Sequence, residues 1–329
     1  MLQRLHDRAV LEVHRRPQEA PEEELRELWE ALAESPRRIP SKHFYDRRGS
    51  QLFEAITRLP EYYLTDAERE LLETAAGEIV AQTRADELVE LGAGSARKTR
   101  ILLDAMAGAG CLALYVPFDV SESEVRRVAL ELVEEYPRLE VHGIVADFTR
   151  GLHVIPPGQR RLVILLGSTI GNFRPGPARA LLSGIAAPMA PGDWFLLGVD
   201  LIKDSATLEA AYDDDAGVTA AFNRNILANV NRLADADFDP DAFEHKAVYR
   251  PQRRWVEMRL VARRPQTVTL GALGRTLEIA AGEEIWTEIS TKYERATVRS
   301  MLEEGGFELV RWFENAGTFA LALARRCGD

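Results

Sequence analysis

Glu90-Leu-Gly-Ala-Gly-Ser-Ala-Arg-Lys-Thr99 sets a carboxylate, two glycines and two cations within one short stretch. The apolar run Leu88–Leu91 precedes it and Ile101–Met106 follows, the order strand, glycine turn, helix. Gly92 and Gly94 let the backbone approach a ligand closely, and the helix start offers unpaired N–H groups. That chemistry suits a nucleotide-like ligand. A phosphate-binding loop needs glycine directly before its lysine, and here Arg97 precedes Lys98. A dinucleotide fingerprint needs Gly or Ala three residues after the second glycine, and that position is Arg97. What remains is a loop led by an acid, Glu90, with no third glycine. On this motif alone, a glycine turn that holds nothing is the competing reading.

Three further apolar runs follow. Leu112–Phe118 ends in Asp119, 27 residues after Gly92, a spacing that suits strand–helix–strand. An acid there can accept both hydroxyls of a ribose. Val141–Ala146 ends in Asp147 and Phe148, where the acid can take an adenine amino group and the ring can pack on the base. Leu162–Gly167 ends in Ser168-Thr-Ile-Gly-Asn172. Taken singly, each acid reads most simply as a helix N-cap. Four successive strands ending this way fit the crevice of an open α/β sheet.

A second constellation lies near the C-terminus. Glu288 and Ser290 are two apart on a predicted strand, so they share a face. Trp286 is expected on that face too, as is Met258 on the predicted neighbouring strand if the register allows. A carboxylate beside a hydroxyl on a half-apolar surface can bind a heterocycle that carries an N–H. A solvated strand face is the plainer alternative. Tyr62 and Tyr63 follow Pro60, and Tyr212 precedes Asp213–Asp215, which reads as a solvated helix turn. The six histidines are scattered without metal-ligand spacing, so no metal is expected. No Gly-x-Ser-x-Gly elbow supports a serine hydrolase.

These residues need elements to hold them. Residues 22–34 read as an amphipathic helix with Leu25, Leu28, Trp29 and Leu32 on one face, after a break at Pro17–Pro21. Another helix is expected from Thr65, with Glu68 completing a capping box. Residues 85–200 alternate strand and helix, closing on Trp194–Val199 and Asp200. Residues 205–231 read as helical, 238–245 as irregular, and 254–261 and 284–290 as half-buried antiparallel strands. A helix from Thr297 and a strand at 318–323 complete the chain.

Bulk properties narrow the classes. The chain has 329 residues, 46% hydrophobic and 28% charged, as a globular protein with a full core requires. A net charge of −11 argues against nucleic acid or an anionic membrane as partner. Cys111 and Cys327 suggest a reducing compartment. No apolar run approaches the roughly 20 residues that cross a bilayer, and the N-terminus does not read as a signal peptide. A cytoplasmic protein is expected.

The acid-led glycine loop is similar to that of S-adenosylmethionine (SAM) methyltransferases. The block from Ser41 to Tyr63, SKHFYDRRGSQLFEAITRLPEYY, resembles the N-terminal signature of the L-histidine Nα-methyltransferase family. Residues 90–99, 167–173, 198–204 and 287–293 resemble that family's other blocks in the same order. The resemblance covers roughly residues 36–329. It implies SAM-dependent trimethylation of L-histidine to hercynine, for ergothioneine biosynthesis.

The fold so implied is α/β, a Rossmann-like class I SAM methyltransferase sheet with a second, smaller α+β substrate-binding lobe. Residues 1–35 would be an N-terminal helical extension, 36–80 and 203–292 the substrate lobe, and 81–202 with 293–329 the SAM-binding domain. By the resemblance, Gly92, Lys98, Asp119, Asp147 and Phe148 hold SAM, with Gly94 completing the loop. Tyr62, Asn172, Tyr212, Glu288 and Ser290 hold histidine. Asn172 and Tyr212 orient the α-carboxylate, Glu288 and Ser290 read the imidazole, and Met258 lines the pocket. Tyr45, near the amine, joins Tyr62 and Asn172 as a candidate for catalysis. The expected partner is the small molecule alone, and the chain is expected to act as a monomer. A methyltransferase for another amino acid such as tryptophan, or a non-catalytic SAM-binding protein, are the alternatives.

Overall fold

The computed structural model describes residues 1–14, 20–158 and 160–328. The chain forms two compact units: Met1–Arg15, Asp66–Ile202 and Tyr293–Asp329 make the first, Arg16–Thr65 and Lys203–Lys292 the second.

The first unit is built on a nine-stranded sheet. Its strands lie in the order Leu2–His6, Ala9–Val13, Glu140–Val145, Leu114–Asp119, Glu87–Leu91, Arg161–Leu165, Trp194–Asp200, Phe319–Arg326 and Phe307–Asn315. From Ala9–Val13 to Trp194–Asp200 the neighbours run parallel, and antiparallel strands flank them at both edges. Glu87–Leu91, Arg161–Leu165 and Trp194–Asp200 are buried along their whole length, which is why they read as unbroken apolar runs rather than alternating ones. Val89, Phe118, Val163 and Phe195 pack with Leu182 and Ile185 of helix Pro175–Ala186 and Leu302 of helix Arg295–Glu304. Each such side chain contributes about 1.5–3 kcal/mol by leaving water. Strand order reverses at Glu87–Leu91, so its C-terminal turn opens on the crevice where ligands of such sheets bind.

Two expectations change here. The first 35 residues are not simply a helical extension. Leu2–His6 and Ala9–Val13 form a hairpin whose second strand extends the sheet along Glu140–Val145, with Leu11 fully buried. Five-residue strands are too short to show a clear period among charged neighbours. The expected helix is present as Ala20–Ala33, with Leu25, Leu28 and Leu32 buried; Pro17 lies outside the described residues. The boundary expected near residue 80 falls between residues 65 and 66. Thr65 lies inside helix Leu64–Thr83, and Glu68 does not close a capping box. Its buried carboxylate accepts the Gly167 N–H at 2.8 Å and pairs with Lys98.

The second unit holds a four-stranded sheet in the order Arg37–Arg38, Glu284–Thr291, Trp255–Ala262, Phe243–Arg250, and a separate pair, Gln266–Leu270 with Arg275–Ile279. Leu28, Phe44, Ile226, Val230, Met258 and Leu260 form its core. The helix expected over 205–231 is two helices, Ser205–Ala210 and Val218–Ala234. Asp214 is buried between them and accepts the N–H groups of Val218 and Thr219 at 2.9 and 2.7 Å. The acidic run is therefore a built helix start, with Asp213 and Asp215 alone exposed.

Candidate active site

The glycine loop starts where Glu87–Leu91 ends. Gly92 and Gly94 take φ of 75° and 49°, a backbone region costly for other residues. The loop is tied to the neighbouring strand: Gly92 N–H donates to the Phe118 carbonyl at 2.8 Å, and Gly94 N–H to Asp119 Oδ2 at 3.0 Å. Asp119 Oδ1 accepts the Ser121 N–H at 2.9 Å. The Val120 N–H bonds to the same carboxylate, which still keeps acceptor capacity for a hydroxyl. Burial raises its pKa against those hydrogen bonds. A Cβ added at Gly92 would stand 3.6 Å from the Phe148 ring, filling the gap between loop and ring. Asp147 turns its own loop, its Oδ1 accepting the Thr149 N–H at 2.9 Å.

Beneath the loop, Glu90 is buried and accepts from Thr99 Oγ1 at 2.5 Å and from the Tyr115 hydroxyl. Burial pushes its carboxyl up to about 7. Lys98, expected beside SAM, is ion-paired with Glu68. Since Glu68 also holds the Gly167 N–H, this pair joins the glycine loop to the turn after Arg161–Leu165. That turn passes through Gly167 and Ser168, both at positive φ, and places the half-buried Asn172 at the end of a short helical turn, Thr169–Asn172.

In the second unit, Met258 stands directly opposite Glu288, and Val256 opposite Ser290. Glu288, Ser290 and Met258 therefore share a face. Trp286 does not join them. The register slips between Met258 and Arg259, so that Trp286 pairs with Arg259 and Thr287 is the extra residue. This bulge breaks the alternation and turns Trp286 to the other face, where the Arg259 guanidinium lies 4.8 Å from its ring centre. Thr287 donates to Asn223 Oδ1 at 2.6 Å. Burial pushes the Glu288 carboxyl up to about 7 against the pull of Lys292.

Aromatic rings extend this region. Tyr62 meets Tyr212 edge-on with centroids 6.2 Å apart, and Phe53 links Tyr62 to Tyr45. The Tyr212 hydroxyl donates to Ser290 Oγ at 2.7 Å. Sequence reading overlooked Lys292, which is only 1% exposed. Its Nζ donates to both the Tyr212 hydroxyl and Ser290 Oγ at 2.9 Å, and sits 4.6 Å from the Tyr212 ring centre. The signal was available: Glu288, Ser290 and Lys292 follow one another at period 2. Among the described residues, no group of three His, Cys, Asp or Glu side chains could hold a metal ion.

Sheet order, the switch point and the acid-led glycine loop define a Rossmann-like class I SAM methyltransferase fold. The chain belongs to the histidine-specific, SAM-dependent methyltransferase family, whose model matches residues 24–326. It is 47% identical over 302 residues to the histidine N-alpha-methyltransferase of Mycobacterium tuberculosis, covering 92% of this chain and 94% of that one. To the histidine N-alpha-methyltransferase of Mycolicibacterium smegmatis it is 48% identical, with the same coverage. It is 32% identical to ergothioneine biosynthesis protein 1 of Schizosaccharomyces pombe, covering 87% of this chain and 39% of that longer one.

Proposed function

We propose that this protein transfers three methyl groups from SAM to the α-amine of L-histidine, giving hercynine, the first step of ergothioneine biosynthesis. The observation that carries this reading is Glu288 beside Ser290 and opposite Met258, on a face backed by Tyr212 and Lys292. Its alliance with an acid-led SAM loop, and with near-full-length relatives named for this reaction, supports it.

The residues present fit SAM. Gly92 and Gly94 keep the loop open beside Phe148, whose ring can pack on a base, and Asp147 can take an adenine amino group. Asp119 retains acceptor capacity for ribose hydroxyls. Lys98, paired with Glu68, acts through loop position more than by direct contact. Bound SAM supplies a methyl group on a sulfonium that carries its own leaving group, so the chain needs no covalent intermediate.

What the protein must do is hold the amine lone pair in line with that methyl group. Asn172 and Tyr212 orient the α-carboxylate, while Tyr62 and Tyr45 face the amine and its accumulating methyl groups. Aromatic faces tolerate the cationic product. The free amine holds its proton to about pH 8, so a proton leaves before each transfer. Tyr62 and Asn172 orient the amine while water carries that proton away. Glu288 accepts the imidazole N–H, and Met258 packs on the ring. The −11 net charge and the two free cysteines support a cytoplasmic enzyme with no nucleic-acid partner.

Selectivity rests on Glu288, because a buried carboxylate rejects a ring that leaves it unpaired. Glu288→Ala is expected to weaken histidine binding about 100-fold and to narrow the gap between histidine and tryptophan. Calorimetric titration of both amino acids reads this directly; unchanged histidine affinity would remove Glu288 from the pocket.

A further inference from the structure

The buried cluster of Tyr212, Ser290 and Lys292 has one member to which no role has been given. Lys292 is a donor-only group: its ammonium has three protons and no lone pair. It donates at 2.9 Å to the Tyr212 oxygen and at 2.9 Å to Ser290 Oγ. Tyr212 also donates to Ser290 at 2.7 Å. The Ser290 oxygen thus has both lone pairs occupied by protein donors. Its own proton can go to neither Lys292, which accepts nothing, nor along the bond that Tyr212 already supplies. It is left for an acceptor outside the cluster.

Resting on the function proposed above, we propose that Lys292 is a positioning and specificity residue that makes Ser290 an obligate donor, so that the pocket selects a ring with a bare acceptor nitrogen as well as an N–H. A neutral imidazole offers both: its N–H to Glu288 and its unprotonated nitrogen to Ser290. A pyrrole offers only the first. The same logic covers Tyr212. With Lys292 donating to its oxygen, its proton rests on Ser290 in the ligand-free protein and is available to a carboxylate when one is bound. A donor-only group behind the two hydroxyls thus leaves the Ser290 proton for the ligand. Without it, the Tyr212 oxygen is open to accept the Ser290 proton, and the ring loses that donor.

The test compares binding of L-histidine with that of a pyrrolyl-alanine, which replaces the acceptor nitrogen by C–H. It uses the full chain saturated with S-adenosylhomocysteine, so that no turnover intervenes. The wild type is expected to prefer histidine by about 10- to 100-fold. Ser290→Ala is expected to bring this ratio close to one. Lys292→Met, which keeps the volume and removes the donors, is expected to lower the ratio at least fivefold. Tyr212→Phe distinguishes the source of the effect: it leaves Lys292 in place, so affinity for both ligands falls together and the ratio stays near the wild-type value. S-adenosylhomocysteine binding reports whether each variant is folded. If Lys292→Met weakens both ligands equally, Lys292 serves only as a charge or a structural support and the proposal fails. It fails equally if Tyr212→Phe collapses the ratio. Absence of histidine binding in the wild type would instead overturn the function proposed above.

Discussion

Two carboxyls, Glu90 and Glu288, are pushed by burial to about 7, for different uses. Glu90 is enclosed by Thr99 and Tyr115 under the glycine loop and touches no proposed ligand group. Its effect belongs to folding. A carboxyl whose folded pKa lies above its unfolded value of 4.5 holds its proton more tightly in the folded state. Stability from Glu90 is therefore fullest in acid, declines as pH rises from about 4.5 to about 7, and is level above that. Glu90→Gln is expected to remove up to about 3 kcal/mol of that decline, seen as the difference between urea-unfolding free energies at pH 5 and pH 8. Parallel pH profiles for the two proteins would show that Glu90 does not titrate in this range. Glu288 and Ser290 were legible in the sequence because strand period alone puts them on one face. Lys292 falls at the same period of two, but a lysine at a strand end ordinarily snorkels to water, and only the packed fold shows its ammonium inside.

At the scale of elements, the glycine loop and the bulged strand differ in how far the sequence reveals them. Gly92, Gly94 and Asp119 could be read from spacing, since a strand–helix–strand unit fixes where the second acid falls. In the structure Gly92 stands at positive φ, and the loop hydrogen-bonds to the strand that ends in Asp119. Gly92→Ala is expected to cost about 1–2 kcal/mol of stability from the left-handed backbone. SAM affinity should fall by more than that loss of stability explains, because the new methyl group enters the gap before Phe148. Thermal unfolding and SAM titration of the variant would separate the two; full SAM affinity would place the ligand elsewhere. The bulge at Thr287 leaves no mark in the sequence, and a plain period of two puts Trp286 on the wrong face. A one-residue slip inverts every side chain beyond it, and the extra residue here, Thr287, bonds to Asn223, 64 residues away.

At the scale of the whole molecule, the alternating core was legible because parallel strands buried on both faces read as apolar runs. The N-terminal hairpin and the division at residues 65/66 were not. Both depend on pairing between distant segments: Ala9–Val13 with Glu140–Val145, and Glu68 with Gly167 and Lys98. Each unit carries one half of the proposed chemistry, the SAM loop in the first and the ring-reading strand in the second. The most direct test is mass spectrometry of the purified protein incubated with SAM and an equimolar mixture of the twenty amino acids. The expected result is a gain of three methyl groups on histidine and on no other amino acid. Methylation of a different amino acid, or none while SAM still binds, would contradict the assignment of this protein to histidine trimethylation.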